Sequence, residues 1–331
     1  MTNEHDPQLV DMVAIARENA LADAMLSRPG MVKVVAPAKV NLFLNVGEVR
    51  DDGYHGVENI LHAVMLHDIV YVRTVPGDQG QGLRIAIMCS GRDGVEAPDI
   101  APEDNIAHRA VTALAEAIGR AQDETVEVAI VKRIPHQAGL GGGSSDAAAT
   151  LAGLAHVWGV DLNDPAIERT ARRLGKDVAF FLRGGCALYD EAGEAFVRTL
   201  APRHESVVLV RPEGGLSTAA VYREFDCAPY PIDPDLRSRA IGADDAASVP
   251  FANNLAPAAE RLMPGLERVR TWLESQDGVT EALLCGSGST TFGVCDDFAT
   301  ACAVAAKAGA QGWWARATSF SGIRSSVVPD K

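Results

Sequence analysis

Residues 135–146, Pro135-His136-Gln137-Ala138-Gly139-Leu140-Gly141-Gly142-Gly143-Ser144-Ser145-Asp146, hold the densest chemistry in the chain. Four glycines fall within five positions, which lets backbone N–H groups turn inward without Cβ clashes. Ser144 and Ser145 add hydroxyl donors. The helix that follows adds the positive end of its dipole. Together these features suit an anion, and a polyphosphate in particular. Two familiar phosphate-binding patterns fail here. No Gly-Lys-Ser/Thr occurs, and the sixth position of GxGxxG is Ser144 rather than glycine. The bland alternative is a tight strand-to-helix turn that binds nothing, and GLGGGSS opening a helix makes binding the stronger reading.

Other reactive residues are scattered. Lys39 sits in an apolar strand segment, where a strand-edge lysine is usually solvated. Asp177 stands between Gly175-Lys176 and the apolar run Val178 to Leu182. A carboxylate there needs a partner, because an unpaired buried charge is expensive, and Lys39 is a candidate. Otherwise Asp177 is an ordinary turn aspartate. Asp52-Gly53-Tyr54-His55 reads as a β-turn with an exposed aromatic. Tyr222 reads as helix packing, Asn105 as a capping residue and Lys132 as a solvated strand-end lysine. His62, His67, His108, His156 and His204 lack metal-ligand spacing. The six cysteines contain no CxxC, so a metal cage and a disulfide framework are not expected. Scattered thiols suggest the cytoplasm.

These residues need elements to place them. Met31 to Val46 alternates as a strand, interrupted at Pro37-Ala38-Lys39. Val64 to Val75 and Leu83 to Met88 are further strands. Asp104 is expected to cap a helix from Asn105 to Ile118, with Ile106, Ala110, Leu114 and Ile118 on one face. Glu127 to Lys132 is a strand that feeds the glycine loop, and a helix from Ala147 to Trp158 leaves it. Asp164-Pro165 opens a helix to Leu174. Val207 to Val210 is a buried strand and Pro229 to Pro250 a loop. Helices are expected near Pro257 to Leu273 and Asp297 to Lys307, and strands near Ala282 to Leu284 and Thr291 to Val294. Strands and helices mix without strict alternation, which favours an α+β fold. A length of 331 residues predicts about two domains. The expected division is an amphipathic extension over 1–30, a first domain over 31–206 and a second over 207–331.

Charge and hydropathy exclude other classes. With 30 basic and 44 acidic residues the net charge is −14, which repels nucleic acid. No apolar run approaches the ~20 residues of a membrane span. The acidic N-terminus resembles neither a secretory signal nor an Arg-rich transit peptide.

Three segments in order carry a resemblance: Ala36-Pro37-Ala38-Lys39-Val40-Asn41-Leu42, the loop PHQAGLGGGSSDAAA, and Cys285-Gly286-Ser287-Gly288-Ser289-Thr290-Thr291. They are similar to the three motifs of the GHMP kinase superfamily. DDGYH, Gly175-Lys176-Asp177-Val178-Ala179-Phe180-Phe181 and Ser217-Thr218-Ala219-Ala220-Val221-Tyr222 resemble a branch whose acceptor carries a cytidine diphosphate. The resemblance covers residues 31 to about 320. It implies a ribosomal S5-like N-terminal domain, a ferredoxin-like C-terminal domain, and ATP in the groove between them. It implies transfer of the γ-phosphoryl of ATP to a hydroxyl of a small cytidyl diphosphate substrate, on the non-mevalonate route to isoprenoid precursors, with Mg2+ as ATP's companion.

By the same resemblance Lys39 and Asp177 are catalytic, Asp177 as general base. ATP is held by Asn105, Lys132, Pro135, Gly139, Leu140, Gly141, Gly142, Gly143, Ser144 and Ser145, with Ser145 a candidate Mg2+ contact. Tyr54 and Tyr222 sandwich cytosine, His55 meets its edge, and Asn41 and Thr218 hold polar groups. Lys176 and Ala179 depart from the family, which usually has a small residue and proline there. The rival readings are another GHMP kinase, of homoserine or mevalonate type, or a non-catalytic sensor on the same fold. The chain is expected to act as a monomer or weak homodimer.

Overall fold

The computed structural model describes residues 28–50, 53, 55–191, 193 and 195–329. The predicted extension therefore lies outside the described residues up to Ser27, and Tyr54 lies outside them too.

In chain order the elements of the first half are β1 (Val32–Val49), β2 (His55–Pro76), β3 (Leu83–Gly91), α1 (Ile106–Ala117), β4 (Glu124–Lys132), α2 (Gly142–Trp158), α3 (Pro165–Leu174), α4 (Val178–Arg183), β5 (Cys186–Asp190) and β6 (Ala195–Leu200). The second half adds β7 (Ser206–Arg211), α5 (Thr218–Cys227), α6 (Pro234–Gly242), β8 (Ala252–Asn253), α7 (Ala256–Leu262), α8 (Gly265–Glu274), β9 (Val279–Leu284), β10 (Thr291–Cys295), α9 (Phe298–Ala310), β11 (Trp314–Ser319) and β12 (Ser326–Val327). Among the described residues no helix is long and apolar enough to cross a membrane.

Two sheets organise the molecule. The first runs β12-β1-β2-β4-β3, with β5 and β6 continuing from β2 and β8 lying parallel to β1. The second is antiparallel in the order β11-β7-β10-β9. Its strands are the first, second, third and last of a β-α-β-β-α-β unit in spatial order 4-1-3-2, the ferredoxin-like arrangement. The two halves are interleaved: β8 and β12, both C-terminal to Ser206, return to the first sheet. The architecture is α+β.

Strand β1 explains how charged chemistry reaches the interior. Its residues Ala36 to Leu44 are all buried, because helices cover one face and the second sheet approaches the other. Val34 and Ala36 pack with α2 residues such as Leu151, whereas Ala38, Val40 and Leu42 pack with Leu209 and Phe292 of the second sheet. The pairing with β2 shifts register between Pro37 and Ala38. That irregularity turns the alternation over, and it carries Lys39 and Asn41 off the face that meets the second sheet. Proline inside a strand is the sequence sign of such a bulge.

Several boundaries differ from the sequence reading. Asn105, not Asp104, caps α1, its Oδ1 accepting the Ala107 N–H at 2.9 Å. Helix α2 begins at Gly142, five residues before Ala147. The expected loop at Pro229 to Pro250 contains α6, opened by Asp233-Pro234 as α3 is by Asp164-Pro165. The helix expected over Pro257 to Leu273 is two, broken at Met263-Pro264.

Candidate active site

The glycine loop leaves β4 and enters α2, and two cavities of about 300 and 390 Å³ lie against it. Gly139, Gly141 and Ser144 line both, so the loop is their common wall. Two of these glycines are required by geometry. Gly139 has φ +75°, and a Cβ there would stand 2.2 Å from the Cys285 carbonyl oxygen. The N-terminal glycine loop thus touches the C-terminal one. Gly141 has φ +73°, and its Cβ would lie 2.7 Å from Phe181 Cζ and 3.2 Å from Lys39 Cγ. Gly141 also occupies the cap position of α2, which has no side-chain cap. Its first N–H groups are left for a ligand.

The smaller cavity gathers most of the residues expected to meet the acceptor. Lys39 is 5% exposed and donates to Asn41 Oδ1 at 2.8 Å. Asn41 passes a hydrogen bond of 2.8 Å to Asn59 Oδ1 on β2. Residues two apart on a strand share a face, which makes the Lys39–Asn41 contact local. Asp177, at the start of α4, lines the same cavity with Thr218, Tyr222 and Ser287. The Lys39–Asp177 ion pair considered from sequence is not formed: Lys39 is engaged by Asn41, and the two charges face one space. Thr218 Oγ1 and Ser287 Oγ are 2.9 Å apart. Burial, and then the nearby Asp177 carboxylate, push the Tyr222 hydroxyl up to about 12. Cys285, beneath the C-terminal loop, is likewise pushed up to about 12 by burial and stays a thiol.

His55 stands behind Tyr222, with ring centres 5.2 Å apart. Its Nδ1 bonds the Gly47 carbonyl at 2.9 Å and its Nε2 faces Asp226 at 3.2 Å. Both ring nitrogens are therefore engaged by the protein, which differs from an edge free to meet a base.

The larger cavity is lined by Asn105, Lys132, Pro135, Gly142, Gly143 and Asp146, among others. The Asn105 amide donates to Cys89 Sγ at 3.6 Å while its oxygen caps α1. Lys132 is not a solvated strand-end lysine. It is 4% exposed and held by Asp68 and Asp146. Burial disfavours its charge, yet the two carboxylates keep its pKa above the usual lysine range. Burial raises the pKa of the Asp146 carboxyl against the pull of Lys132. Leu140 departs from its expected role: its side chain is 1% exposed in the core, and its carbonyl accepts the Lys39 N–H at 3.0 Å. Ser145 departs likewise, being wholly buried with its hydroxyl unpartnered, whereas Ser144 lines both cavities. Among the described residues no cluster of three His, Cys, Asp or Glu is assembled for a metal.

Sequence reasoning missed Asn59, Asp68, Ser287 and the pair Asn253-Asn254. Asn253 donates to the Leu284 and Gly286 carbonyls at 2.9 and 2.7 Å. Asn254 accepts from Val46 N–H and donates to the Val46 carbonyl, each at 2.8 Å. The available signal was a pair of amides beside a proline-rich stretch, which alone does not distinguish loop from staple.

The fold and its paired cavities define a small-molecule kinase of the GHMP class. The GHMP kinases N terminal domain family matches residues 105–185 and the GHMP kinases C terminal family residues 237–312. The chain is 36% identical over 282 residues to the 4-diphosphocytidyl-2-C-methyl-D-erythritol kinase of Pelotomaculum thermopropionicum, covering 84% of this chain and 93% of that protein. The chain belongs to that kinase family. A crystal structure of 4-(cytidine 5'-diphospho)-2C-methyl-D-erythritol kinase superposes with TM-score 0.69 and 32% identity, over 88% of this chain and 99% of the other. Homoserine kinase from Cytophaga hutchinsonii, 19% identical over 91% of this chain and 98% of its own, with TM-score 0.67, shares the fold alone.

Proposed function

We propose that the chain transfers the γ-phosphoryl group of ATP to the 2-hydroxyl of 4-diphosphocytidyl-2-C-methyl-D-erythritol, in the supply of isoprenoid precursors. The observation that carries this reading is the common wall of the two cavities. Nucleotide on one side of Gly139, Gly141 and Ser144 and acceptor on the other would meet at the loop. Little covalent chemistry is needed from the protein in phosphoryl transfer, so positioning and charge dominate.

In this reading the loop N–H groups and the start of α2 hold the phosphates. Mg2+ bound with ATP would neutralise phosphate charge there, and Ser144, which lines both cavities, would be the hydroxyl that holds it. Lys39, oriented by Asn41 and Asn59, stabilises negative charge on the transferring group. Asp177 accepts the acceptor's hydroxyl proton. Tyr222, backed by His55, offers an aromatic face to cytosine, and Thr218 with Ser287 offers hydroxyls.

The test is a coupled ATPase assay with the cytidyl acceptor, homoserine and mevalonate in parallel. Turnover is expected with the cytidyl acceptor alone. Asp177→Asn is expected to lose activity by roughly 100- to 10,000-fold while binding an ATP analogue normally. Turnover within tenfold of the parent would remove Asp177 as the base, and preference for homoserine or mevalonate would overturn the acceptor assignment.

A further inference from the structure

Beneath the nucleotide-side cavity a buried lysine ties three elements together. Lys132, the last residue of β4, donates to Asp146 Oδ2 at 2.6 Å and to Asp68 Oδ2. Asp68 is on β2 and wholly buried. Its Oδ1 accepts the N–H groups of Arg133 and, at 2.8 Å, Ile134, the first two residues of the glycine loop's stem. Asp146 lies near the start of α2, where the loop ends. The chain leaves Lys132, passes over the cavities and returns at Gly142, and the bridge closes it at the base. The fit is close: a Cβ at Gly142 would stand 3.3 Å from Lys132 Nζ.

One ammonium faces two carboxylates here, out of water. Such an arrangement is weak evidence of stability, because the excess buried acid costs free energy. Asp146 Oδ1 has no partner at all. For stability alone, the Lys132–Asp68 pair would suffice. We propose that Asp68 and Asp146 are positioning residues for the nucleotide. By holding Lys132 between β2 and α2, they fix how far the glycine loop opens toward the phosphates. This inference rests on the nucleotide reading of the cavity. The two anchors are not equivalent. Asp68 has three donors and shapes the stem of the loop, whereas Asp146 contributes the link to α2.

Asp146→Leu separates positioning from stability. It removes the α2 link and the excess acid while leaving a one-to-one Lys132–Asp68 pair. We expect a folded protein with an unchanged or higher melting temperature, yet a KM for ATP raised about tenfold and a KM for the acceptor within about twofold. Asp146→Asn, whose amide oxygen still accepts from Lys132, should bring the KM for ATP back to within about threefold of the parent. Calorimetry with a non-hydrolysable ATP analogue should follow the same order. A folded Asp146→Leu with the parent's ATP affinity overturns the proposal, as does an equal rise in both KM values. So does a lower melting temperature in step with the loss. A parent protein that binds no ATP analogue removes the nucleotide reading and the inference with it, and this is visible before any variant is made.

Discussion

His62 lies wholly buried between the halves of the molecule. Its Nε2 accepts the Arg203 N–H at 2.8 Å, so Nδ1 carries the proton and donates to the Ala63 carbonyl at 2.8 Å. The ring is thus built in as neutral imidazole. Burial is the main cause that lowers its pKa to about 4. The unfolded chain takes up this proton near pH 6.5 and the folded chain only near 4, so stability falls as pH drops through that window. From this group alone the free energy of unfolding should be about 2 kcal/mol lower at pH 5 than at pH 8. Urea denaturation at the two pH values checks it. His62→Gln keeps an acceptor for Arg203 but does not titrate, and should flatten the difference. An undiminished slope in that variant would place the titrating group elsewhere. The sequence reading left His62 as structural but could not assign its partners, which are 1 and 141 residues away. A separation of 64 residues hides Asp68 from Lys132 in the same way. Lys39 and Asn41 lie two residues apart on one strand, which is local geometry, yet the sequence reading set Lys39 against Asp177 and did not pair it with Asn41.

At the scale of elements, the glycine loop was readable and the helix it opens was read too short. Gly142, Gly143, Ser144 and Ser145 are poor helix formers, so propensity places the start at Ala147. In the structure these residues form the first turn because α2 is pinned by its buried face against β1 and β2. Tertiary packing here overrides intrinsic preference. The same packing fixes Gly153. A Cβ there would fall 2.7 Å from Val72 Cγ2 and 3.2 Å from Val34 Cγ2, both in the core. Alanine would gain roughly 1 kcal/mol of helix propensity. It would also force rigid β-branched neighbours to move, at roughly 1–3 kcal/mol. We expect Gly153→Ala to destabilise by about 1 kcal/mol net, measured by chemical denaturation. A stabilised variant would mean that α2 can lift from the sheet without cost, and that the loop's position is not set by this contact.

Strands of both sheets were legible in the sequence, but not the interleaving of the sheets. Strand β8 is two residues long and β12 is two, too short for any periodicity, and both pair with β1 across the molecule. Asn253 is where this long-range order meets the chemistry. Its amide supports the Leu284 and Gly286 carbonyls, and its oxygen accepts the Leu255 N–H at 3.0 Å. Gly286 and Ser287 line the acceptor-side cavity, and the chain they belong to lies against Gly139. Asn253→Ala would leave two carbonyls and one N–H without their partner in a buried setting, at about 1–3 kcal/mol for each group that water does not reach. The expected result is a loss of roughly 2–3 kcal/mol in denaturant unfolding. The KM for the acceptor should rise about tenfold, equivalent to ~1.4 kcal/mol, because the loop beneath it loosens. The KM for ATP should move less, since Asn253 bonds no residue that lines the nucleotide-side cavity. Equal changes in both constants would show that the C-terminal loop moves the whole glycine wall. No change in either would show that Asn253 serves stability alone and that the interleaving of the halves does not reach the site.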